Sequence, residues 1–266
     1  MTARVDALHR AMRAACFEVA SPADAGALLA RSQVEGADRA ALLSGPQRFP
    51  LYRKLVRGTL GGLCESILSR GHAHLEATAP GAWDAAFDAF LAGRGPRTPH
   101  LRDVPSELCE VLLPRLSADV RVPAYVVELF QWELATFRLG AARDVPDPDA
   151  CDVDASLPLA FHEPSARLRV SHAIHEAGEH VGEPPARRDT RLFLYRDREH
   201  LAVTVVLTPF ADELLVRAQE GAPLGVAIGG AAEALGVSVS EPLLTEVARW
   251  LADFGERGVV LGSRVV

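Results

Sequence analysis

Histidine and glutamate residues are concentrated between positions 172 and 180, where a metal or acid–base site could be built. His175, Glu176 and His180 come close to the H-E-x-x-H zinc motif, in which two histidines four residues apart share one helix face and the glutamate acts as a base. Here the histidines lie five residues apart, or about 500° around a helix, so their side chains would point in different directions. We expect a solvated strand end, with a metalloenzyme that uses His172, His175 and His180 as an alternative.

Other motifs that carry catalysis or bind cofactors are missing from the sequence. Lys54 is followed by Leu55 rather than by Ser or Thr, which excludes a standard P-loop, and neither G-x-S-x-G nor G-x-G-x-x-G occurs. His72 and His74 are spaced like two metal ligands on a strand, but we expect a surface loop there. The four cysteines form no C-x-x-C pair, and we expect buried free thiols. The sequence therefore predicts a protein that is not an enzyme and has no cofactor.

Apolar stripes at helical spacing dominate the first half of the chain. Four such stripes start near Leu8, Leu51, Trp83 and Pro123. The aromatic residues within them are typical of a helical core rather than of a cofactor site. We predict an all-α helical bundle over residues 1–143. The next segment, residues 144–164, is acidic and interrupted by prolines, a composition that resists regular structure and predicts a linker.

Residues 165–266 change from helical to strand-rich patterns. Alternation over Leu168–His175 predicts a strand, and Arg191–Arg196 and Leu201–Leu207 predict two more, joined by a hairpin turn. Three helices and a closing strand follow, starting at Thr208, Pro223, Ser240 and Val259. We predict a winged-helix-like α+β domain here, so that the expected fold class is α+β with two domains.

The balance of charge disfavours nucleic acid as a partner. The chain has 28 Lys and Arg against 35 Asp and Glu, a net charge of −7, whereas duplex DNA demands several basic contacts to phosphate. The third helix of the predicted domain carries Glu241, Glu246 and Asp253 against Arg249. A winged-helix DNA-binding transcriptional regulator remains the alternative function. Without a signal-peptide pattern or an apolar stretch of about 18 residues, we expect a cytoplasmic protein with no membrane contact.

Three segments of the first half resemble a known family. They are Gln47-Arg48-Phe49-Pro50-Leu51-Tyr52-Arg53, Phe87-Asp88-Ala89-Phe90 and Glu128-Leu129-Phe130-Gln131-Trp132-Glu133-Leu134-Ala135. They look like the N-terminal helical domain of the HvfC-like family, whose members are often labelled as proteins with a putative DNA-binding domain. The second half is similar to family members in its order of elements and its Tyr195-Arg196-Asp197 hairpin.

The resemblance implies a non-catalytic partner protein. Members of the family pair with multinuclear non-haem iron-dependent oxidative enzymes that modify ribosomally made peptides. Such a partner forms a heterodimer with the enzyme, binds the leader of the precursor peptide through a winged-helix RiPP recognition element, and presents the peptide to the enzyme. This expectation agrees with the absence of a catalytic motif.

Two sets of residues are the expected contact sites. An extended peptide could add to a sheet edge, with backbone hydrogen bonds for affinity and side-chain pockets for register. The expected peptide-binding residues lie on the hairpin and on the third helix: Leu192, Leu194, Val203, Val205, Leu243, Val247 and Trp250. The expected enzyme-binding residues lie in the Tyr-Arg motif and in a proline-rigidified loop: Tyr52, Arg53, Arg97, His100, Leu101, Arg102 and Asp103.

Overall fold

The structure is a computed structural model that describes residues 2–18, 25–45, 47–93, 95–178, 181 and 183–264. Its fold is α+β, with a majority of helix and two small antiparallel sheets. The chain divides into two compact units, one of Met1–Phe130 with Gly178–Gly182 and one of Gln131–Ala177 with Glu183–Val266. The domain limits expected from the sequence stay a prediction.

In the part of the chain that the structure describes, eight helices precede the first strand. They are α1 (Thr2–Phe17), α2 (Ala25–Arg31), α3 (Gly36–Leu43), α4 (Arg48–Ile67), α5 (Ser69–Thr78), α6 (Ala82–Gly93), α7 (Val104–Ala118) and α8 (Ala124–Ala141). The helical character predicted for this half is confirmed. The division between the two units falls within α8.

Aromatic side chains form much of the first unit's core, as their helical spacing predicts. Trp83, Phe87 and Phe90 on α6 are buried, and Phe130 on α8 is fully buried. The Trp83 and Phe130 rings stack with their centroids 6.0 Å apart. Offset stacking of this kind adds about 0.5–1.5 kcal/mol to the burial of the rings.

The loop expected around His72 and His74 is a helix, so that expectation is wrong. Both residues lie on α5, where His74 is buried against the Tyr125 ring. Gly71 argues against a helix in the sequence, because glycine normally weakens a helix interior. The structure shows why glycine stands there: a Cβ on Gly71 would lie 2.8–2.9 Å from ring atoms of Phe130.

The described residues of the second unit form two three-stranded antiparallel sheets. The strands are β1 (Ala150–Cys151), β2 (Leu159–Phe161), β3 (Ser165–His172), β4 (Arg187–Arg196), β5 (Ala202–Leu207) and β6 (Val260–Arg264). One sheet has the order β3-β4-β5 and the other the order β1-β6-β2. The three strands and the hairpin predicted before Thr208 are confirmed, except that the first strand ends at His172 and Ile174–Glu176 forms a 3₁₀ turn.

The expectation that residues 144–164 lack regular structure is wrong for two segments. β1 and β2 both lie in this stretch and pair with β6, the closing strand. Leu159, Ala160 and Phe161 of β2 are all buried. The short apolar run between prolines is too brief to show a period, and only its distant partner strand reveals it.

Three helices follow the β3-β4-β5 sheet, as predicted. They are α9 (Pro209–Gln219), α10 (Leu224–Ala234) and α11 (Glu241–Glu256). The Thr208 hydroxyl accepts a hydrogen bond from the backbone N–H of Ala211, which caps the N-terminus of α9. Phe193, Leu215 and Phe254 belong to the core between these helices and the strands.

Three of the four cysteines are buried free thiols, as expected. Cys16, Cys64 and Cys109 are buried, whereas Cys151 on β1 is exposed, so the expectation is wrong for that residue. Among the described residues, none of the helices combines the length and the apolar character that a membrane span requires.

Candidate functional site

A groove in the second unit lies between β5, the start of α9 and α11. Its volume is about 350 Å³. Apolar residues dominate its lining: Val205, Val206, Leu207, Phe210, Ala211, Leu214, Val247, Trp250 and Phe254. Polar lining comes from Thr208, Glu246, Arg249 and Asp253. An apolar groove with a few polar groups at its rim is typical of a binding site.

Four aromatic rings form a continuous series of contacts beside this groove. The Trp250 and Phe254 rings of α11 have centroids 4.6 Å apart, and Phe254 meets Phe193 of β4 at 5.6 Å. Phe193 stacks on Tyr195 at 5.8 Å. Of these rings, Trp250 and Phe254 line the groove, and Phe193 packs against Phe254. The wall is therefore already ordered, so a ligand that binds there would cost it little conformational entropy.

Among the residues that the structure describes, no strand pairs with the outer edge of β5. β5 has the sequence Ala-Val-Thr-Val-Val-Leu, without a charged residue or a proline, and Val206 is 48% exposed. β3, at the opposite edge of the same sheet, carries Arg167, Arg169 and His172. Sheet edges are normally blocked by charges or prolines against pairing with another chain, so the bare edge of β5 is available for an added strand.

The hydrogen-bond phase of the β4–β5 hairpin decides which backbone groups face that edge. The N–H of Asp197 donates to the carbonyl of Leu201 at 2.9 Å, which makes these two residues a hydrogen-bonded pair. Such pairs alternate along an antiparallel ladder, so Val203 and Val205 direct their N–H and C=O groups to β4. The residues whose N–H and C=O groups face the free edge are therefore Ala202, Thr204 and Val206.

The second half of α8 and the residues just after it contact the other face of this sheet. The indole N–H of Trp132 donates to the Thr204 hydroxyl at 3.0 Å. The buried Arg196 guanidinium donates to the carbonyl of Ala142, just beyond the end of α8, and to the Asp144 carboxylate, each at 2.6 Å. β5 therefore has helix α11 beside one face and helix α8 beside the other.

Side chains of both charge signs lie on and just after α11 at the groove, with carboxylates in excess on the helix. Arg257 forms hydrogen bonds to Tyr195 and to Asp253, which raise the pKa of its guanidinium, and its Nε lies 2.9 Å from an Asp253 oxygen. Glu246 and Arg249 stand exposed on the rim. The indole Nε1 of Trp250 is buried without a hydrogen-bond partner. The rim therefore carries both signs of charge, while the walls of the groove are apolar.

The groove contains part of the predicted peptide-binding set. Val205, Val247 and Trp250 line it, Val203 packs on the core beside it, and Leu243 is half-buried on α11 outside the lining. The structure does not bring the remaining two residues, Leu192 and Leu194, to the groove. Both are fully buried. Because they pair with Val206 and Thr204, their side chains lie on the face of the sheet opposite Val203 and Val205.

Trp132 was missed as a residue near the β5 edge. Its place in an apolar helical stripe predicted only core packing, and no local signal links it to a strand 72 positions later. Only the packing of α8 on the sheet reveals the contact.

The loop that contains most of the predicted enzyme-binding residues is held by one buried carboxylate. Glu107 of α7 accepts hydrogen bonds from the backbone N–H groups of Arg97 and Thr98, at 2.8 and 3.1 Å. The Arg97 side chain also reaches Glu110 at 2.7 Å. Thr98 donates to Asp103 at 3.0 Å. Arg97 and Asp103 therefore stabilise the loop from within.

The tip of this loop is exposed. His100, Leu101 and Arg102 are solvent-accessible, and Leu101 is 54% exposed. A short 3₁₀ turn over Leu101–Asp103 holds them in place before α7 begins. The exposed residues of the predicted set are thus presented on a rigid support.

The two residues of the Tyr-Arg motif on α4 have different environments. The Arg53 guanidinium donates to the carbonyls of Ala15 and Cys16, at 3.1 and 3.2 Å, near the C-terminal end of α1. A cation at this position satisfies unpaired carbonyls and the helix dipole. Tyr52, in contrast, is 47% exposed, beside Leu51 and Leu55 on α4, which are 58% and 59% exposed.

The histidine cluster offers no assembled metal site in the part of the chain that the structure describes. His172 ends β3 with its ring 3.0 Å from the Ser171 hydroxyl, and His175 lies in the 3₁₀ turn. Burial lowers the pKa of His175, although Glu176 nearby opposes the shift. His180 lies outside the described residues, and among the others no group of three potential metal ligands is found.

Comparisons with known proteins give no assignment. The sequence matches none of the protein-family models and none of the curated proteins searched.

Proposed function

We propose that this chain is a non-catalytic partner protein that binds the leader of a ribosomally made precursor peptide and presents it to a multinuclear non-haem iron-dependent oxidative enzyme. One observation carries the proposal: β5 has an unprotected edge beside an apolar, aromatic-walled groove. An extended peptide that pairs with Ala202, Thr204 and Val206 would gain backbone hydrogen bonds and place alternate side chains in the groove.

The arrangement of elements supports a winged-helix-like recognition domain. A three-stranded sheet is followed by three helices, and the last of these, α11, lies beside the edge strand. The resemblance of the first half to the HvfC-like family supplies the class of partner enzyme and of peptide. The iron would belong to that enzyme, and this chain would supply binding and orientation.

The helical unit would dock the enzyme. Leu51, Tyr52 and Leu55 form an exposed apolar strip along one side of α4. The sequence pattern suggested that the leucines belong to a buried stripe, but burial on α4 is concentrated at later positions such as Leu60 and Cys64. An exposed apolar strip on a rigid helix is typical of a protein interface.

The peptide part of the proposal can be tested at the β5 edge. We expect a displayed library of random peptides, about a dozen residues long, to yield binders of the full chain. V206P should weaken the selected peptide about tenfold or more, because it removes one outward donor and blocks the edge. The ladder to β4 does not use this N–H, so the urea unfolding midpoint should stay close to that of the original chain.

V206T serves as the matched control, because threonine keeps the N–H and the branched side chain. It should retain peptide affinity within about threefold. Failure of the library to yield any binder, or equal affinity for V206P and V206T, would contradict the peptide proposal.

The enzyme part can be tested by purification of the tagged chain from its own cells. We expect an iron enzyme of the oxidative class to co-purify, identified by mass spectrometry and by iron analysis. The L51E/L55E double variant should lose it, since two carboxylates would be buried without partners. V120E is the matched control, because Val120 is a fully exposed apolar residue of the same unit. Loss of the enzyme with V120E as well would reject the α4 strip.

The DNA-binding alternative makes a separate prediction. A winged-helix regulator should shift duplex DNA in a gel at low salt, with an affinity that falls steeply as salt rises. We expect no shift, because α11 carries four carboxylates, at Glu241, Glu246, Asp253 and Glu256, against one arginine. A salt-sensitive shift would favour the regulator over the peptide-binding partner.

A further inference from the structure

We infer that the segment recognised at β5 is a continuous apolar run, rather than the alternation of apolar and polar residues usual for an edge strand. This inference rests on the proposed function and names the class of peptide. Its basis is that β5 has a helix against each of its two faces, so a strand added beside it would have apolar walls on both sides.

The first wall is the groove. Val203 and Val205 point toward the core shared with α11, where Val205, Val247 and Trp250 line the groove. Residues of an added strand that lie opposite Val203 and Val205 would direct their side chains to this same face, because directly opposed residues share a face of the sheet. Apolar side chains at these positions would cover Trp250.

The second wall is on the opposite face and includes Trp132. Side chains opposite Thr204 and Val206 would lie on the face where the Trp132 indole is bound to Thr204. Val206 is 48% exposed here, so an apolar neighbour would bury it. The Trp132 hydrogen bond holds its indole N–H against a residue of the edge strand itself, so a side chain added next to Thr204 on this face would lie near the ring.

The alternating side chains of the added strand, on both of its faces, would therefore contact apolar surface. Strands that are buried on both faces have nearly continuous apolar sequences, whereas strands with one wet face alternate. The length of the run should match β5, which has six residues. Trp132 and Trp250 would then determine specificity at alternate positions of the peptide.

The test is a substitution scan of the best peptide selected from the displayed library, titrated against the full chain. Aspartate at each position in turn should weaken binding about tenfold or more at four or more consecutive positions. Replacement of Trp132 by alanine should abolish the sensitivity to aspartate at one set of alternate peptide positions. Replacement of Trp250 by phenylalanine should change the sensitivity at the other set. W132F is the control, because it keeps an apolar ring, and thermal melts verify the fold of each variant.

The outcomes separate the two proposals. Sensitivity confined to every second position would overturn the apolar run while the peptide-binding function stands. If W132A lowers the affinity of every peptide in the scan by the same factor, the role of Trp132 is purely structural. That result would overturn the second wall. If no peptide binds the full chain, the proposed function is wrong and the inference is wrong with it.

Discussion

Single residues in this chain have roles that depend on their immediate neighbours rather than on their type. Gly62 and Gly71 both lie inside helices, yet a Cβ on Gly62 would meet nothing within 4 Å, whereas one on Gly71 would overlap Phe130. The first glycine is free to change, and the second is required for the close approach of α5 to α8.

We expect G71A to lower the free energy of unfolding by about 1–3 kcal/mol, because the fully buried Phe130 ring must shift. G62A should instead be neutral or raise it by up to about 1 kcal/mol, since alanine favours a helix. Urea denaturation followed by circular dichroism measures both. Equal effects for the two variants would contradict the contact between Gly71 and Phe130.

Glu107 is a second residue whose role is local. Its carboxylate is the acceptor for two backbone N–H groups of the exposed loop. We expect E107A to destabilise the first unit by about 1–3 kcal/mol, because these donors lose their acceptor. E107Q keeps one acceptor oxygen and should cost less. Amide hydrogen exchange at residues 97 and 98 provides the local measurement, and unchanged protection in E107A would contradict this role.

The cysteines differ in reactivity for reasons of burial. Burial raises the pKa of Cys64 to about 12, with Cys109 and Glu65 nearby adding to the shift. At pH 8 Cys64 would therefore be almost entirely a thiol, and its burial blocks access as well. A maleimide should therefore modify Cys151 alone in the native protein, as measured by intact mass. Modification of a C151S variant under native conditions would contradict this expectation.

At the scale of elements, β6 joins two strands from a distant part of the chain. Gly262 of β6 has a φ of +133°, and a Cβ there would overlap the carbonyl oxygen of Cys151 in β1. Only glycine tolerates both the backbone conformation and this approach. The β1-β6-β2 sheet therefore depends on one residue near the end of the described chain.

We expect G262A to separate β1 from β6 and to lower the free energy of unfolding by about 2 kcal/mol or more. S263A removes only the hydroxyl that binds the Asp154 backbone and should cost about 1 kcal/mol. Urea unfolding compares the two variants. A G262A protein as stable as S263A would show that the strand pairing tolerates a side chain here.

For the whole molecule, net charge distinguishes peptide recognition from nucleic-acid recognition. The chain carries a charge of −7, and the groove depends on apolar walls and backbone groups. The affinity for a selected peptide should therefore change by less than about threefold between low and high salt. The steep salt dependence of nucleic-acid binding comes from the release of counterions, and peptide binding at this groove releases none. Titration at several salt concentrations measures this, and a steep loss of affinity would indicate a charge-driven contact instead.

The sequence predicts the helical first half, the hairpin and the three helices after Thr208, because periodicity, caps and turn residues act over a few neighbouring positions. It also placed Val205, Val247 and Trp250 in the candidate site, since they lie on a strand and a helix with clear patterns. The folded chain is needed to reveal the pairing of β6 with β1 and β2, the helix that contains Gly71, and the face of the sheet that Leu192 and Leu194 occupy. These features depend on hydrogen-bond phase and on contacts between residues far apart in the chain, and no local pattern records them.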